Sequence, residues 1–115
     1  MNGKGVEADP AAALVWYEKA ALQGYDWAEY SAGFAYLKGH GTKADLVKAE
    51  EYFKKALRNK NPHIQFLIAE LYAKGEFGSE RFDEAVDLYK SAASQGLSWA
   101  EGALERLRQE DKLAP

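Results

Sequence analysis

The sequence contains no cysteine, which excludes disulfide bonds, thiol nucleophiles and thiolate metal sites. It also lacks an excess of charge of one sign, because 15 Lys and Arg residues against 18 Asp and Glu residues give a net charge of −3. A protein that neutralises nucleic-acid phosphates needs a clustered basic face, whereas both signs are interspersed here. We therefore expect no nucleic-acid partner.

Long apolar runs are missing as well. No run approaches the ~20 residues that cross a bilayer, and the first six residues lack the apolar stretch of a signal peptide. We therefore expect no membrane insertion. The compartment stays open: cytoplasmic without a leader, periplasmic or secreted if a leader has been removed. The composition that is present, 47% hydrophobic and 29% charged, is ordinary for a folded domain with a modest core.

The apolar and small residues repeat every 36 positions. The register is kept by bulky pairs, by alanines and by a further aromatic position: Trp16-Tyr17, Tyr52-Phe53 and Leu88-Tyr89; Ala13, Ala49 and Ala85; Ala20, Ala56 and Ala92; Trp27, His63 and Trp99. So many matches without an insertion indicate one supersecondary unit repeated along the chain.

Within each period the apolar residues follow the i, i+3, i+4, i+7 spacing of an amphipathic helix. The pattern predicts six helices, at about 10–23, 26–38, 45–59, 62–74, 81–95 and 98–111. Capping residues support these bounds: Asp9 and Asn61 before prolines, capping boxes at Asp26 with Glu29 and Ser98 with Glu101, and helix stops at Gly24, Gly39, Gly75 and Gly96.

The predicted fold class is all-α: an α/α superhelical solenoid of about three stacked helical hairpins. We expect one domain, residues 1–115, with helix pairs at about 10–38, 45–74 and 81–111. In the stacking scheme Trp16 and Tyr52 fill gaps between helices, so replacing either by alanine is expected to cost roughly 3–5 kcal/mol.

These residues resemble the Sel-1-like repeat family, a relative of the tetratricopeptide repeats. The first half of the family pattern is matched or nearly matched by Ala28, Ala32, Gly33, Tyr36, Gly39 and Gly41, and the second half by Asp45, Ala49, Tyr52, Phe53, Lys55 and Ala56. The resemblance covers almost the whole chain. It implies a protein-interaction adaptor, a role that such proteins have in bacterial signalling, envelope assembly, virulence and effector–immunity pairs.

The chain departs from the family pattern in the bends and at both ends. Thr42, Ala69 and Arg81 replace the usual Val, Gly and Asp. Glu105 and Arg108 stand where Gly and Tyr are expected, so we interpret the last helix as a solvating cap. Residues 3–6 resemble the end of a repeat whose first helix is missing. Either the array is longer, or this end is used for self-association.

Catalysis is not expected. His40 lies in a Gly-His-Gly bend typical of a solvated turn, and His63 has no further ligands at helical spacing that would hold a metal. The glycines are explained as helix stops, so no phosphate loop is predicted. No cofactor or metal site is therefore expected.

Binding is expected in the concave groove that the first helix of each hairpin lines in related repeats. The groove positions of tetratricopeptide repeats map to Trp27, Tyr30, Phe34 and Leu37; His63, Phe66, Glu70 and Ala73; and Trp99, Gly102, Arg106 and Gln109. From these we predict a partner-binding set of Trp27, Tyr30, Phe34, His63, Phe66, Glu70 and Trp99. Trp27 and Trp99 could equally be core, since they recur with the period. Glu29, Glu70, Lys38 and Lys74 are expected to form a polar rim.

The leading hypothesis is a scaffold or adaptor that binds a segment of another protein. Two alternatives stay open: a regulatory or targeting domain of a larger protein, and a structural spacer. A spacer predicts a polar groove, so exposed aromatic residues would count against it.

Overall fold

The computed structural model describes residues 9–77 and 81–110. In this part of the chain there are six α-helices and no strand: α1 (Pro10–Leu22), α2 (Asp26–Lys38), α3 (Leu46–Ala56), α4 (Pro62–Ala73), α5 (Phe82–Ser94) and α6 (Ser98–Gln109). A 3₁₀ turn, Leu57–Asn59, continues α3. The six predicted helices are confirmed. Residues 3–6, interpreted above as the end of a repeat, and the predicted helix end at Asp111 lie outside the described residues.

Side-chain caps begin three of the helices. The Oδ1 atoms of Asp9, Asn61 and Asp45 each accept a hydrogen bond of 3.0 Å from a backbone N–H of the first turn. The predicted capping boxes at Asp26 and Ser98 are wrong. Both residues lie inside their helices, because Tyr25 and Leu97 occupy the N-cap positions without a side-chain cap.

The chain forms two compact units, Met1–Asn59 and Lys60–Pro115. In the first unit, α2 packs against both α1 and α3. The Phe53 side chain of α3 is fully buried, and its ring lies where α2 carries a glycine. A Cβ atom at Gly33 would be 2.8 Å from two carbons of that ring. The absence of a side chain at Gly33 therefore allows α2 and α3 to approach closely.

The bend after α2 brings the end of that helix to the start of α1. Gly39 ends α2 in the left-handed conformation, with φ 74°, and Gly41 follows with φ 81°. A Cβ atom at Gly41 would lie 2.4 Å from the carbonyl oxygen of Pro10. Glycine is required there by the backbone conformation and by this contact.

In the second unit, α5 packs against both α4 and α6. The core consists of Ile64 and Ile68 from α4, Tyr89 from α5 and Ala100 and Ala103 from α6, all at most 1% exposed. The alanines at the period positions of α3 and α5 are also fully buried: Ala49, Ala56, Ala85 and Ala92. The 36-residue period therefore marks the helix contacts within each unit.

The first repeat of the period departs from this scheme at α1. Trp16 is 68% exposed, so the expectation that its truncation opens a cavity is wrong. Tyr17 is 40% exposed, whereas Phe53 and Tyr89 at the same period position are at most 1% exposed. Phe53 packs against α2 at Gly33, whereas Tyr17 borders an open pocket between α1 and α2.

Candidate interaction surfaces

Three aromatic side chains form a ladder along α2. Trp27, Tyr30 and Phe34 follow at helical spacing on one face, with ring centroids 6.2 Å apart for the first pair and 6.1 Å for the second. Trp27 is 48% exposed, and the other two side chains are half-buried. This set, called the α2 ladder below, is the kind of aromatic surface that anchors partner proteins.

The α2 ladder packs against the core of the first unit. The Tyr30 ring centroid lies 5.6 Å from that of Phe53, which is fully buried. Burial also raises the pKa of the Tyr30 hydroxyl, so this side chain stays neutral. A ring held from beneath loses little conformational freedom when a partner binds, which favours affinity.

A pocket of about 330 Å³ opens beside the α2 ladder, between α1 and α2. This first pocket is lined mainly by apolar and aromatic groups: Pro10, Ala13, Tyr17, Tyr30, Ser31, Phe34, Ala35 and His40. The His40 ring meets the Phe34 ring in an edge-to-face arrangement, with centroids 6.0 Å apart. The first pocket has the size and lining that accept an apolar side chain.

A second aromatic group lies in the second unit. The Trp99 ring of α6 is 5.4 Å from the His63 ring and 5.8 Å from the Phe66 ring, centroid to centroid. Phe66 in turn lies 5.9 Å from the buried Tyr89 ring. Trp99 is 57% exposed. His63, Phe66 and Trp99, called the His63 cluster below, therefore form another partly open aromatic surface on a core tyrosine.

A second pocket, of about 400 Å³, opens in the second unit and is lined by charged as well as apolar side chains. Its lining residues are Glu70, Ala73, Lys74, Phe82, Tyr89, Arg106 and Leu107. The Tyr89 hydroxyl donates to Glu70 Oε2 at 2.5 Å, and Arg106 Nη2 approaches the same oxygen at 3.5 Å. Burial, and then this hydrogen bond, raises the pKa of Tyr89, so Tyr89 remains a donor that holds the carboxylate.

The two pockets are built at the same place in the repeat. A shift of 72 residues, two periods, carries four lining residues of the first pocket onto lining residues of the second: Pro10 to Phe82, Tyr17 to Tyr89, Phe34 to Arg106 and Ala35 to Leu107. Three of these four exchanges keep an apolar or aromatic side chain. Among these four exchanges, only the change from Phe34 to Arg106 introduces a charge.

The predicted binding residues fall into two groups, one in each unit. Trp27, Tyr30 and Phe34 form the α2 ladder, His63, Phe66 and Trp99 form the His63 cluster, and Glu70 lies in the second pocket. The alternative that Trp27 and Trp99 are core is wrong, since about half of each side chain is exposed. Their role in binding stays a prediction.

Two other groove assignments are wrong. The repeat pattern predicts that Leu37 faces the groove, but this side chain is only 6% exposed. It also predicts Glu29 in a polar rim, whereas Glu29 is 2% exposed, with Oε2 3.3 Å from Arg58 Nη2. A buried carboxylate must be paired or hydrogen-bonded, so Glu29 joins α2 to the turn that ends α3.

Some residues that line the pockets are missed by sequence reasoning. The Gly-His-Gly bend predicts a solvated turn at His40, and although this residue is exposed, it borders the first pocket. The period assigns Tyr17 and Tyr89 to helix packing, yet each lines a pocket. Their common position in the period, occupied by tyrosine in both, is the signal that could have revealed them.

Metal sites and membrane-spanning helices are not found in the described part of the chain. Within residues 9–77 and 81–110, no group of three or more His, Cys, Asp or Glu side chains is placed to hold a metal ion. None of the helices in these two ranges is long and apolar enough to span a membrane.

Comparison with known proteins identifies the repeat. A family model described as the Sel1 repeat matches residues 1–25, 28–61 and 62–97. The second span contains α3 and most of α2, and the third contains α4 and α5. Matches to this model therefore cover most of the chain.

Two curated relatives share about a third of the aligned residues. An ERAD-associated E3 ubiquitin-protein ligase component, HRD3B from Arabidopsis thaliana, is 37% identical over 73 residues, or 63% of this chain and 11% of the relative. A putative sel1-like repeat-containing protein, L21 from Acanthamoeba polyphaga mimivirus, is 33% identical over 97 residues. This alignment covers 84% of this chain and 17% of the relative. The chain thus spans less than a fifth of the length of either relative.

Two solved structures have the same fold. A protective antigen of uropathogenic Escherichia coli strains that displays an SLR fold superimposes with a TM-score of 0.78 and 32% identity, over 96% of this chain and 24% of the antigen. A Sel1 repeat protein from Oxalobacter formigenes superimposes with a TM-score of 0.72 and 29% identity, over 86% of this chain and 40% of that protein. These similarities confirm the predicted fold class, an all-α solenoid of Sel1-like repeats.

Proposed function

The chain belongs to the Sel1 repeat family, whose members are generally protein–protein interaction scaffolds, and on this premise we propose that it binds a segment of a partner protein in its repeat groove. The observation that carries the proposal is the α2 ladder beside the first pocket. The His63 cluster would supply a further aromatic contact in the second unit. A relative named as a component of a ligase assembly supports an adaptor role.

The first pocket favours a partner segment with one large apolar side chain. Tyr17 and Phe34 provide aromatic walls, and Trp27 offers exposed ring surface at the start of the same helix. Burying an apolar side chain removes its surface and the surrounding ring surface from water, which is the main favourable term in such an association. A partner helix or extended segment could present this side chain.

Peptide selection tests the proposal even though the partner is unidentified. A phage-displayed peptide library is panned on the wild-type chain, and each enriched peptide is titrated against the wild type and Phe34→Ala. We expect enriched peptides to carry a large apolar residue and to bind Phe34→Ala about tenfold or more weakly, as for a buried anchor.

The matched control is Val47→Ala, which truncates a 71% exposed side chain of α3 outside the pocket lining. It should leave peptide affinity unchanged, and circular dichroism should show equal helicity for both variants. Failure to enrich any peptide, or equal binding by Phe34→Ala, would overturn the proposal.

A second proposed interaction is self-association through α1. Ala13, Trp16, Tyr17 and Ala20 share one face of this helix, and their counterparts in α3 pack against α2. An apolar face of this type is stabilised when another helix covers it. We propose that a second copy of the chain supplies that helix through its own α1. Because Ala13 and Tyr17 also line the first pocket, this dimer and the partner segment would compete for the same surface.

Sedimentation equilibrium tests self-association directly. The wild type should approach the mass of a dimer as concentration rises, whereas Trp16→Ala should stay monomeric and Val47→Ala should behave as the wild type. A monomer at all concentrations, or a dimer unaffected by Trp16→Ala, would refute this interaction.

The spacer and regulatory-domain alternatives differ in what they require. A spacer predicts a polar groove, and the half-exposed Trp27 and Trp99 side chains count against it. A regulatory or targeting domain would use the same surfaces within a larger protein. We propose a non-catalytic role in either context, and we keep the assignment of residues 1–115 to a single Sel1-like repeat domain.

A further inference from the structure

The second pocket carries an excess of positive charge. Among its lining residues, Lys74 and Arg106 are cationic and Glu70 is anionic, so their formal charges sum to +1. Phe82, Ala73 and Leu107 supply apolar walls. A site of this composition fits a group with a negative end and an apolar stem.

The Glu70 carboxylate already contacts two neighbouring side chains. Its Oε2 atom accepts the Tyr89 hydroxyl at 2.5 Å and lies 3.5 Å from Arg106 Nη2. Tyr89 is 1% exposed, so this donor belongs to the core and fixes the carboxylate in place. Glu70 therefore positions Arg106, and it is less suited to capture a cation from a partner.

Arg106 retains most of its donor capacity. A guanidinium has five N–H donors, and within the described residues the side chain of Arg106 pairs with Glu70 through one nitrogen at 3.5 Å. Its side chain is 55% exposed. The Lys74 side chain forms no ion pair within residues 9–77 and 81–110. Both cations are available to an incoming anion.

We propose that the second pocket binds an acidic side chain, Asp or Glu, of the partner segment, with Arg106 and Lys74 contacting its carboxylate. The walls formed by Phe82 and Leu107 cover an apolar part of the same segment. This inference rests on the proposed function and specifies its partner chemistry: an apolar anchor for the first pocket and an acidic residue for the second. The exchange of Phe34 for Arg106 in the repeat, together with Lys74 in the lining of the second pocket, accounts for the difference.

Three blocked dipeptides probe the second pocket by NMR titration: acetyl-Leu-Glu-amide, acetyl-Leu-Gln-amide and acetyl-Leu-Lys-amide. We expect the Glu probe to shift the Arg106 side-chain and Leu107 signals and to bind about fivefold more tightly than the Gln probe, as for a partly exposed charge pair. Arg106→Gln should abolish that preference.

Lys38→Gln is the matched control, because Lys38 occupies the period position of Lys74 in the first unit and does not line the second pocket. It makes the same change of net charge as Lys74→Gln but should keep the preference for the Glu probe, whereas Lys74→Gln should reduce it. Equal binding of all three probes, or a Glu preference that survives Arg106→Gln, would overturn the inference.

The two proposals fail in different ways. Library peptides that depend on Phe34 but show no acidic residue and no loss with Arg106→Gln would leave the proposed function intact and refute the acidic specificity. A Glu preference in the titration with no enriched library peptide would refute the proposed function alone.

Discussion

Glu29 and Gln65 occupy the same position of two successive repeats, and both bury a polar side chain. They are 2% and 4% exposed. Glu29 pairs with Arg58 Nη2 at 3.3 Å in the first unit. In the second unit the Gln65 amide donates to Ser91 Oγ at 2.9 Å and accepts from Gln95 Nε2 at 3.0 Å. In each unit this position ties the start of one helix to the end of the next.

The Glu29–Arg58 pair should contribute measurably to stability. Arg58→Ala removes the cation that pairs with a buried carboxylate, so we expect a loss of about 1–3 kcal/mol in the free energy of unfolding. Lys54→Ala is the control: Lys54 is 73% exposed and 3.9 Å from Glu50, and its loss should cost less than about 0.5 kcal/mol. Urea denaturation measures both, and equal effects would show that the pair is solvated.

Two glycines within helices should respond to alanine in opposite directions. Gly33→Ala places a Cβ atom 2.8 Å from carbons of the Phe53 ring, and this overpacking should cost about 1–3 kcal/mol. Gly102→Ala meets no atom within 4 Å, so its better helix propensity should stabilise the chain by up to about 1 kcal/mol. Thermal denaturation distinguishes the two, and a stabilised Gly33→Ala would show that α3 can shift.

The core position of the period should be far more sensitive than its exposed neighbour. Phe53→Ala removes a fully buried ring and should cost about 3–5 kcal/mol. Trp16→Ala truncates a side chain that is 68% exposed and should cost less than about 1 kcal/mol at concentrations where the chain is monomeric. Denaturant titrations of both variants measure the two losses of stability. A larger loss for Trp16→Ala than for Phe53→Ala would contradict the prediction.

Alkaline pH should weaken the first unit through tyrosines bound to Glu18. Tyr36 and Tyr52 donate to Glu18 Oε2 at 2.8 and 3.2 Å. The hydrogen bond to Glu18, followed by burial and nearby negative charge, raises the pKa of Tyr36 to about 12 from 10.0. A raised folded-state pKa gives stability that is fully present below pH 10 and is lost as the pH rises through about 12.

Spectrophotometric titration of tyrosine at about 295 nm, combined with urea denaturation between about pH 9 and 12, measures this effect. Tyr36→Phe should flatten the decrease in stability over that range. Glu18→Gln should also reduce the decrease, because loss of the charged acceptor brings the folded-state pKa of Tyr36 closer to its unfolded value. An unchanged profile in both variants would contradict the assignment.

The helices were predictable because their signals are local. The 36-residue period and the helical spacing located α1 to α6, and Asp9 and Asn61 cap helices as expected. The capping box at Asp26 failed because Tyr25 takes the N-cap position, and the Glu29 carboxylate pairs with Arg58, 29 positions away. A local motif cannot reveal such a competing long-range partner.

The cavity expected on truncation of Trp16 was wrong for a different reason. The spacing of Trp16 and Tyr17 shows which face of the helix is apolar, but burial depends on whether another helix covers that face.

The second pocket did leave a signal in the sequence. Glu70 and Arg106 occupy the same period position with opposite charge, and they lie 3.5 Å apart.

The positions proposed to set binding specificity lie next to core positions in the repeat. Residues 34, 70 and 106 are Phe, Glu and Arg, whereas the adjacent Ala35, Leu71 and Leu107 are apolar and only 6%, 8% and 6% exposed. On the proposed function, substitutions at residues 34 and 106 would change what is bound without replacing a core residue, whereas Glu70 also accepts the hydroxyl of the buried Tyr89. Binding specificity in this chain can therefore evolve, or be redesigned, largely independently of stability.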